Sequence, residues 1–334
     1  MCVLLYNMYP MKSTKELTDI IRQAVDGLSF KAQPDVLYDP MSYMMGLGGK
    51  RVRPLLCLMA FNMYSDDLEK AINPALAIEM FHNFTLLHDD VMDRSYMRRG
   101  KPCVHVKWDE NTAILSGDAL QVVAYQYMQQ APADKLPECM DIFSRTALEV
   151  CEGQAMDMLF ESTDSVGKDD YLEMVRLKTA VLLAGSLKIG AVLAGAPSAD
   201  ADRLYDFGIN IGIAFQIKDD VLDVWGNAEV FGKAIGGDIM CNKKTFPLLY
   251  ALEKADDTAR RHLQDYMRRD DLERAEKIQT VTDIYNSLGV HECCDRQMQF
   301  HFDKAMASLD RLSVDPALTE GLRVLAKDMM DRQI

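Results

Sequence analysis

His88-Asp89-Asp90-Val91-Met92-Asp93, followed at once by Arg94-Ser95-Tyr96-Met97-Arg98-Arg99-Gly100-Lys101-Pro102, is the stretch on which the reading of this chain turns. Three carboxylates fall within five residues, and a cluster of arginine and lysine comes just after. Upstream, Pro74 through Leu87 is apolar and helix-compatible. Asn73 before Pro74 predicts a helix N-cap with proline in the first turn. On a helix that runs through to Asp93, Asp89 and Asp93 are i and i+4 and share a face, while Asp90 points about 100° away. Two carboxylates on one face repel each other and oppose the helix dipole at a C-terminus. A hard divalent cation with room for phosphate oxygens, Mg2+ above all, relieves both costs.

A solvated acidic helix end is the plain alternative in a chain with 51 Asp plus Glu among 334 residues. A second occurrence weighs against it. Phe215-Gln216-Ile217-Lys218-Asp219-Asp220-Val221-Leu222-Asp223 repeats the pattern, with Gln216, Asp219, Asp220 and Asp223 on one helical stripe. Two such stripes facing each other across a helical bundle would make a carboxylate site for several metal ions, able to clamp a polyphosphate. Gly48-Gly49-Lys50-Arg51-Val52-Arg53-Pro54 supplies an early basic island, and residues 98–101 a second.

These motifs, in this order, resemble the trans-polyprenyl diphosphate synthase family, the all-α isoprenoid synthases. Asp89–Asp93 is similar to the family's first aspartate-rich motif, Asp219–Asp223 to its second, and Gly48–Pro54 to its early basic motif. The resemblance covers roughly residues 40 to 255. It implies an all-α fold, a large single-domain helical bundle of the isoprenoid synthase type with a central cavity. It also implies Mg2+-dependent condensation of isopentenyl diphosphate with an allylic diphosphate.

Composition sets bounds that agree. The net charge of −14 argues against nucleic acid and against an anionic membrane surface. Eight cysteines without a C-x-x-C pair argue against a zinc site or a disulfide framework, and read as reduced thiols of a cytoplasmic protein. The start, Met1-Cys2-Val3-Leu4-Leu5-Tyr6, does not read as a signal peptide. Val181 to Ala194, interrupted by Lys188 and two glycines, is too short to span a membrane and reads as a buried helix.

Nothing inside the chain reads as a linker. We expect one polyprenyl synthase domain over residues 1–334, with a core at about 40–255 and peripheral C-terminal helices at about 256–334. Prolines fall at expected helix edges, and no run alternates with period two over strand length. Helices are expected at 12–27, from Asp39-Pro40 to Gly46, from Pro54 to Tyr64, and from 74 to about 94, with a loop through Arg98 to Pro102. Others follow at about 109–130, 138–161, 169–195 and 200–225, then a glycine-bearing loop from Gly226 to Asn242. Shorter charged helices fill 244–334, the last beginning at Asp315-Pro316.

The resemblance carries roles to individual positions. Asp89, Asp93 and Asp219 would hold metal, with Asp90, Asp220 and Asp223 behind them or acting through water. Arg98 matches the arginine on the allylic diphosphate, and Arg99 the one on isopentenyl diphosphate. Guanidinium forks suit phosphate oxygens, and neighbours on a loop can point opposite ways. Lys50, Arg53 and His82 match the isopentenyl diphosphate site, whereas Arg51 receives no role. A lone histidine on an apolar helix is more often a core residue, but His82 lies seven residues before Asp89, on the same face. Lys178 stands in an apolar run and needs an anionic partner. The family places it on the allylic diphosphate, with Thr179 beside the cation and the Gln216 carbonyl aimed at the same charge. Lys233 and Lys243 match two further lysines. Asn242 stands where many bacterial members carry glycine, which leaves the shape of its loop open. Glu152-Gly153-Gln154-Ala155-Met156-Asp157 also fits the family, without a direct role.

Product length would be set by the residues upstream of Asp89. Phe84 lies five positions before it, about 7.5 Å along the axis, and Thr85 four. One aromatic with a small neighbour implies a short all-trans product, farnesyl or geranylgeranyl diphosphate, with Phe81 a possible second stop. A longer-chain synthase is the alternative within the family. A class I terpene cyclase is disfavoured by the second aspartate string and the Gly-Gly-Lys-Arg motif. A non-catalytic partner subunit is disfavoured because both aspartate strings are intact. The family's habit implies a homodimer.

Overall fold

The first aspartate string closes a helix, as its sequence predicts, but that helix begins before Asn73. It runs Glu69–Met92, with Pro74 inside it and Leu68 at the N-cap position. The expected cap at Asn73 is therefore corrected: its side chain donates to Gln130 Oε1 at 2.8 Å instead. Proline removes one backbone bond, and so near a helix start the carbonyl it releases belongs to exposed Lys70, where water can satisfy it. Burial of Ala71 and Leu68 makes the extra turn worthwhile. The same correction applies to the second helix, Asp35–Gly46, which carries Pro40 inside it.

The computed structural model describes residues 11–163, 165–227, 235–269 and 271–331. In chain order the helices are α1 Thr14–Asp26, α2 Asp35–Gly46, α3 Val52–Asn62, α4 Glu69–Met92, α5 Val104–Lys107, α6 Glu110–Met128, α7 Leu136–Ser162 and α8 Lys168–Val175. A π-helical turn, Arg176–Ala180, leads into α9 Val181–Leu193 and α10 Ser198–Trp225. Then come α11 Gly237–Met240, α12 Phe246–Lys254, α13 Asp257–Arg268, α14 Arg274–Ser287, α15 Val290–Leu309, a 3-10 turn Pro316–Thr319 and α16 Glu320–Met330. Sequence signals mark several of these ends. Ser13 and Glu16 form a reciprocal capping box on α1, and Asp109 caps α6 through the Thr112 amide.

The loop expected through Arg98 to Pro102 is a small hairpin. β1 Met97–Arg98 pairs antiparallel with β2 Lys101–Pro102, in the register Arg98 to Lys101. Its two turn residues, Arg99 and Gly100, have φ of 52° and 75°, the conformation that tight hairpins require.

The chain divides into two compact units. The first comprises Met1–Ala147, Gly185–Tyr205 and Leu312–Leu322. Its centre is α4, buried nearly all round through Ala75, Leu76, Ala77, Ile78, Met80, Phe81, Phe84 and Leu87, as befits a helix without a polar face. The second comprises Leu148–Ala184, Asp206–Arg311 and Arg323–Ile334. Its core gathers Phe160, Val175, Ile217, Val221, Phe246, Leu263 and Tyr285. The apolar stretch at 181–194 is the buried helix α9, as expected, and among the described residues no helix is long and apolar enough to cross a membrane.

Candidate active site

In the first unit, α4 delivers the first aspartate string at its C-terminus. Arg94 takes a left-handed φ of 50°. The Arg94 amide donates to Val91 O and the Ser95 amide to Asp90 O, a pattern that ends the helix sharply. Asp89 is half-buried and Asp93 exposed. Asp90 turns the other way, as its 100° offset requires, and is only 2% exposed. Both its carboxylate oxygens accept from Arg98, with Nε at 2.8–2.9 Å and Nη2 at 2.7 Å. Burial works against the Arg98 charge, but the Asp90 carboxylate outweighs it and raises the guanidinium pKa.

Around the middle of α4 the structure gathers the basic residues. Arg53 Nη1 lies 3.0 Å from His82 Nε2. Burial first, then the charges of Arg53, Arg99, Arg98 and Arg51, hold the His82 pKa well below its usual value. His82 is therefore neutral: Nε2 accepts from Arg53, which leaves the proton on Nδ1. Burial also lowers Arg53 to about 10, and its buried Nε has no hydrogen-bond partner. Arg99 donates to the Gly48 carbonyl. A Cβ on Gly49 would come within 2.7 Å of its guanidinium carbon, and both glycines have positive φ. Arg98 and Arg99 thus point to different partners, as expected of neighbours in a turn. Lys50 is exposed.

Arg51, given no role by its sequence, is the brace of this cluster. It ion-pairs with buried Glu79, donates to Met45 O at 2.5 Å, and Glu79 in turn accepts from Asn83 at 2.8 Å. A buried Glu and Asn on the apolar α4 were the available signal.

Phe84 and Thr85 lie one turn before Asp89. Phe84 is 7% exposed and packs on Phe81 at 5.4 Å between ring centroids and on His88 at 4.8 Å. Phe81 in turn meets Phe143 at 5.5 Å, and Phe143 meets Tyr125 at 5.0 Å. The Thr85 hydroxyl donates to His82 O within its own helix.

In the second unit, α10 carries the second aspartate string. Asp219 and Asp223 are half-buried, whereas Asp220 is 3% exposed. Burial, then the charge of Asp238, pushes the Asp220 carboxyl up to about 8. The Tyr171 hydroxyl at 2.5 Å, the Phe246 amide at 3.1 Å and Gln216 Nε2 at 3.3 Å all donate to it. Asp223 accepts from the Asp238 amide at 2.9 Å, so it holds the first turn of α11. The Gln216 carbonyl oxygen accepts from Thr179 Oγ1 at 3.3 Å, which brings those two residues together.

Lys178 and Thr179 stand on the π-helical turn, closed by the bond from the Val181 amide to Arg176 O. Such wide turns interrupt helices at functional sites. The anionic partner that Lys178 demands is Asp157, at 2.5 Å. This residue went without a role in the sequence, although Gly153 and Asp157 sit one helical turn apart. Gly153 has its own part: a Cβ there would meet the Lys178 backbone nitrogen at 2.3 Å. Lys243 is exposed beside Asn242. Asn242 takes a φ of 55°, the conformation that Asn tolerates best after glycine. Lys233 lies outside the described residues. Among the described residues no three His, Cys, Asp or Glu side chains converge into a metal cage.

A family model for polyprenyl synthetase matches residues 34–285. The chain belongs to that family. As a member it is an enzyme, a prenyltransferase, and the helical architecture is that of its structural neighbours. A geranylgeranyl diphosphate synthase of Methanosarcina mazei is 43% identical over 242 residues, covering 72% of this chain and 75% of that protein. A geranylfarnesyl diphosphate synthase of Natronomonas pharaonis is 38% identical over 260 residues, covering 72% and 76%. A crystal structure of a geranylgeranyl pyrophosphate synthase superposes with a TM-score of 0.92 at 40% identity, covering 96% of this chain and 99% of that one.

Proposed function

We propose that this prenyltransferase joins isopentenyl diphosphate to an allylic diphosphate and releases a short all-trans product, geranylgeranyl or farnesyl diphosphate. The observation that carries this reading is the shared design of the two aspartate strings. In each, the middle acid is buried and pinned, while the outer acids are less buried: Asp89, Asp219 and Asp223 are half-buried and Asp93 is exposed.

Asp89, Asp93 and Asp219 are the metal ligands in this reading. They offer hard carboxylate oxygens a pair or one at a time, which suits Mg2+, an ion that keeps the rest of its shell for water and substrate phosphates. When bound, Mg2+ supplies the positive charge that stabilises the departing diphosphate. Arg98, held by Asp90, binds the allylic diphosphate together with Lys178, Lys243 and, from its sequence match, Lys233. Departure of diphosphate leaves an allylic cation. Thr179 and the Gln216 carbonyl oxygen present negative dipole ends to it. Lys50, Arg53, Arg99 and the Nδ1–H of neutral His82 bind isopentenyl diphosphate. An anion relieves the mutual repulsion of the arginines and gives Arg53 Nε its acceptor. The isopentenyl double bond then forms the new carbon–carbon bond and a proton leaves the adjacent carbon.

Phe84, with Thr85 beside it, is the floor that stops chain growth. A longer product is the second reading, favoured by the similarity to a geranylfarnesyl diphosphate synthase. We also infer one working domain over residues 1–334, supported by a family match that runs through residues of both units. A homodimer is supported by α6, which exposes Ile114, Leu115 and Val122 at 40–60%; a monomer mass by light scattering would contradict it. A cytoplasmic location is supported by the free thiols of every described cysteine, and recovery in a membrane or extracellular fraction would contradict it.

The test is substitution of each string in turn. Asp89→Asn and Asp219→Asn should each lower the condensation rate at least ~100-fold, with far-UV circular dichroism unchanged. Wild-type turnover in either variant contradicts the assignment.

A further inference from the structure

Lys277, on α14, is 1% exposed and ranks among the largest fully buried side chains of the protein. A buried ammonium has three protons to place, and here all three acceptors are uncharged oxygens. They are Asn242 Oδ1 at 2.9 Å, Met267 O at 3.2 Å and Arg269 O at 3.1 Å. The two carbonyls sit at the C-terminal end of α13, where helix carbonyls lack partners and the dipole is negative. Lys277 therefore caps α13, and its third proton reaches across to the turn that follows the second aspartate string.

That turn is tied down at several points. The Gly236 amide donates to Asp223 O at 2.6 Å and the Asp238 amide to Asp223 Oδ2 at 2.9 Å. The Asn242 amide donates to Ile239 O, the Lys243 amide to Asp238 O, and Lys244 Nζ to Phe160 O. Asn242 itself holds a left-handed φ of 55°. Asn tolerates such a backbone better than other non-glycine residues but still at a cost, which a fixed side chain offsets. The side-chain oxygen is held by Lys277, and the next residue is Lys243.

We propose that Lys277 is a positioning residue for diphosphate binding: through Asn242 it locks the left-handed turn from which Lys243 is presented. The inference rests on the reading of Lys243 as a ligand of the allylic diphosphate. It gives α14 a part in the active site, reached through one hydrogen bond.

The test is a set of steady-state KM values for the allylic diphosphate and for isopentenyl diphosphate. Lys277→Met and Asn242→Ala should each raise the allylic KM about tenfold, the loss of one charge-assisted hydrogen bond, and leave the isopentenyl KM in place. In Lys277→Met/Asn242→Gly the allylic KM should return towards wild type, because glycine takes the left-handed turn without a brace. The Tm should stay low, since the α13 carbonyls remain uncapped. A fall in kcat with both KM values unchanged, or no rescue by glycine, overturns the proposal. Lys243→Met separates it from its premise. An unchanged allylic KM in Lys243→Met removes the reading of Lys243 and the inference with it. A raised one beside an unchanged Lys277→Met overturns the brace alone. Should Lys277→Met fail to fold, Asn242→Ala against Asn242→Gly makes the same comparison, and equal effects overturn the proposal.

Discussion

Asp90 and Asp220 hold the same place in their two strings, and both are spent on the protein rather than offered to solvent. Asp90 is spent on Arg98, Asp220 on Tyr171, the Phe246 amide and Gln216. Spacing had separated Asp90, about 100° round the helix from Asp89, but it had set Asp220 on one stripe with Asp219 and Asp223. What spacing does not carry is the partner, because Arg98 returns from a hairpin and Tyr171 from another helix. Residue-scale reasoning also frames product length. Phe84 closes a stack that continues through Phe81, Phe143 and Tyr125. Phe84→Ala should therefore lengthen the product while the next rings still stop growth. It should also cost about 3–5 kcal/mol of stability, as buried Phe truncations do. Mass spectrometry of the products checks the first effect and denaturant unfolding the second; an unchanged product distribution would sink the floor assignment.

At the scale of elements, helix existence was legible and helix starts were not. The long apolar runs of α4, α9 and α10 declare themselves, whereas the side-chain caps lie elsewhere, Ser13 on α1 and Asp109 on α6. Pro40 and Pro74 misled, because a proline that can start a helix is equally tolerated one turn inside it when the released carbonyl faces water. The hairpin at 97–102 is two residues per strand, too short to leave an alternating pattern. Nor could the π-helical turn be read, since it follows from tertiary packing. Gly153 on α7 is the residue that lets the chain come so near that turn. Gly153→Val should push the Lys178 backbone away. The expected result is a Tm loss matching about 1–3 kcal/mol of overpacking and a kcat roughly 100-fold lower from misplaced Lys178 and Thr179. Stability lost with kcat retained would detach the close approach from catalysis.

For the whole molecule, the sequence placed most of the candidate site through short motifs, because the chemistry needs fixed residue types at helical spacing. The supporting shell was hidden. Arg51 with Glu79, Asp157 with Lys178, and Lys277 with Asn242 pair residues 21 to 35 positions apart, and no local pattern announces such pairs. They share one physical logic. A net charge of −14 would repel a diphosphate at long range, so cations have to be aimed locally, and Arg51, Lys178 and Lys277 each have a partner of their own. The central claim is that this scaffold performs Mg2+-dependent condensation to a short product. The measurement that tests it most directly is mass spectrometry of products from isopentenyl diphosphate with dimethylallyl, geranyl or farnesyl diphosphate, with Mg2+ and with chelator. The account predicts geranylgeranyl or farnesyl diphosphate, formed with Mg2+ and abolished by chelator. Folded protein that condenses none of the primers, or turnover that survives chelation, would contradict it.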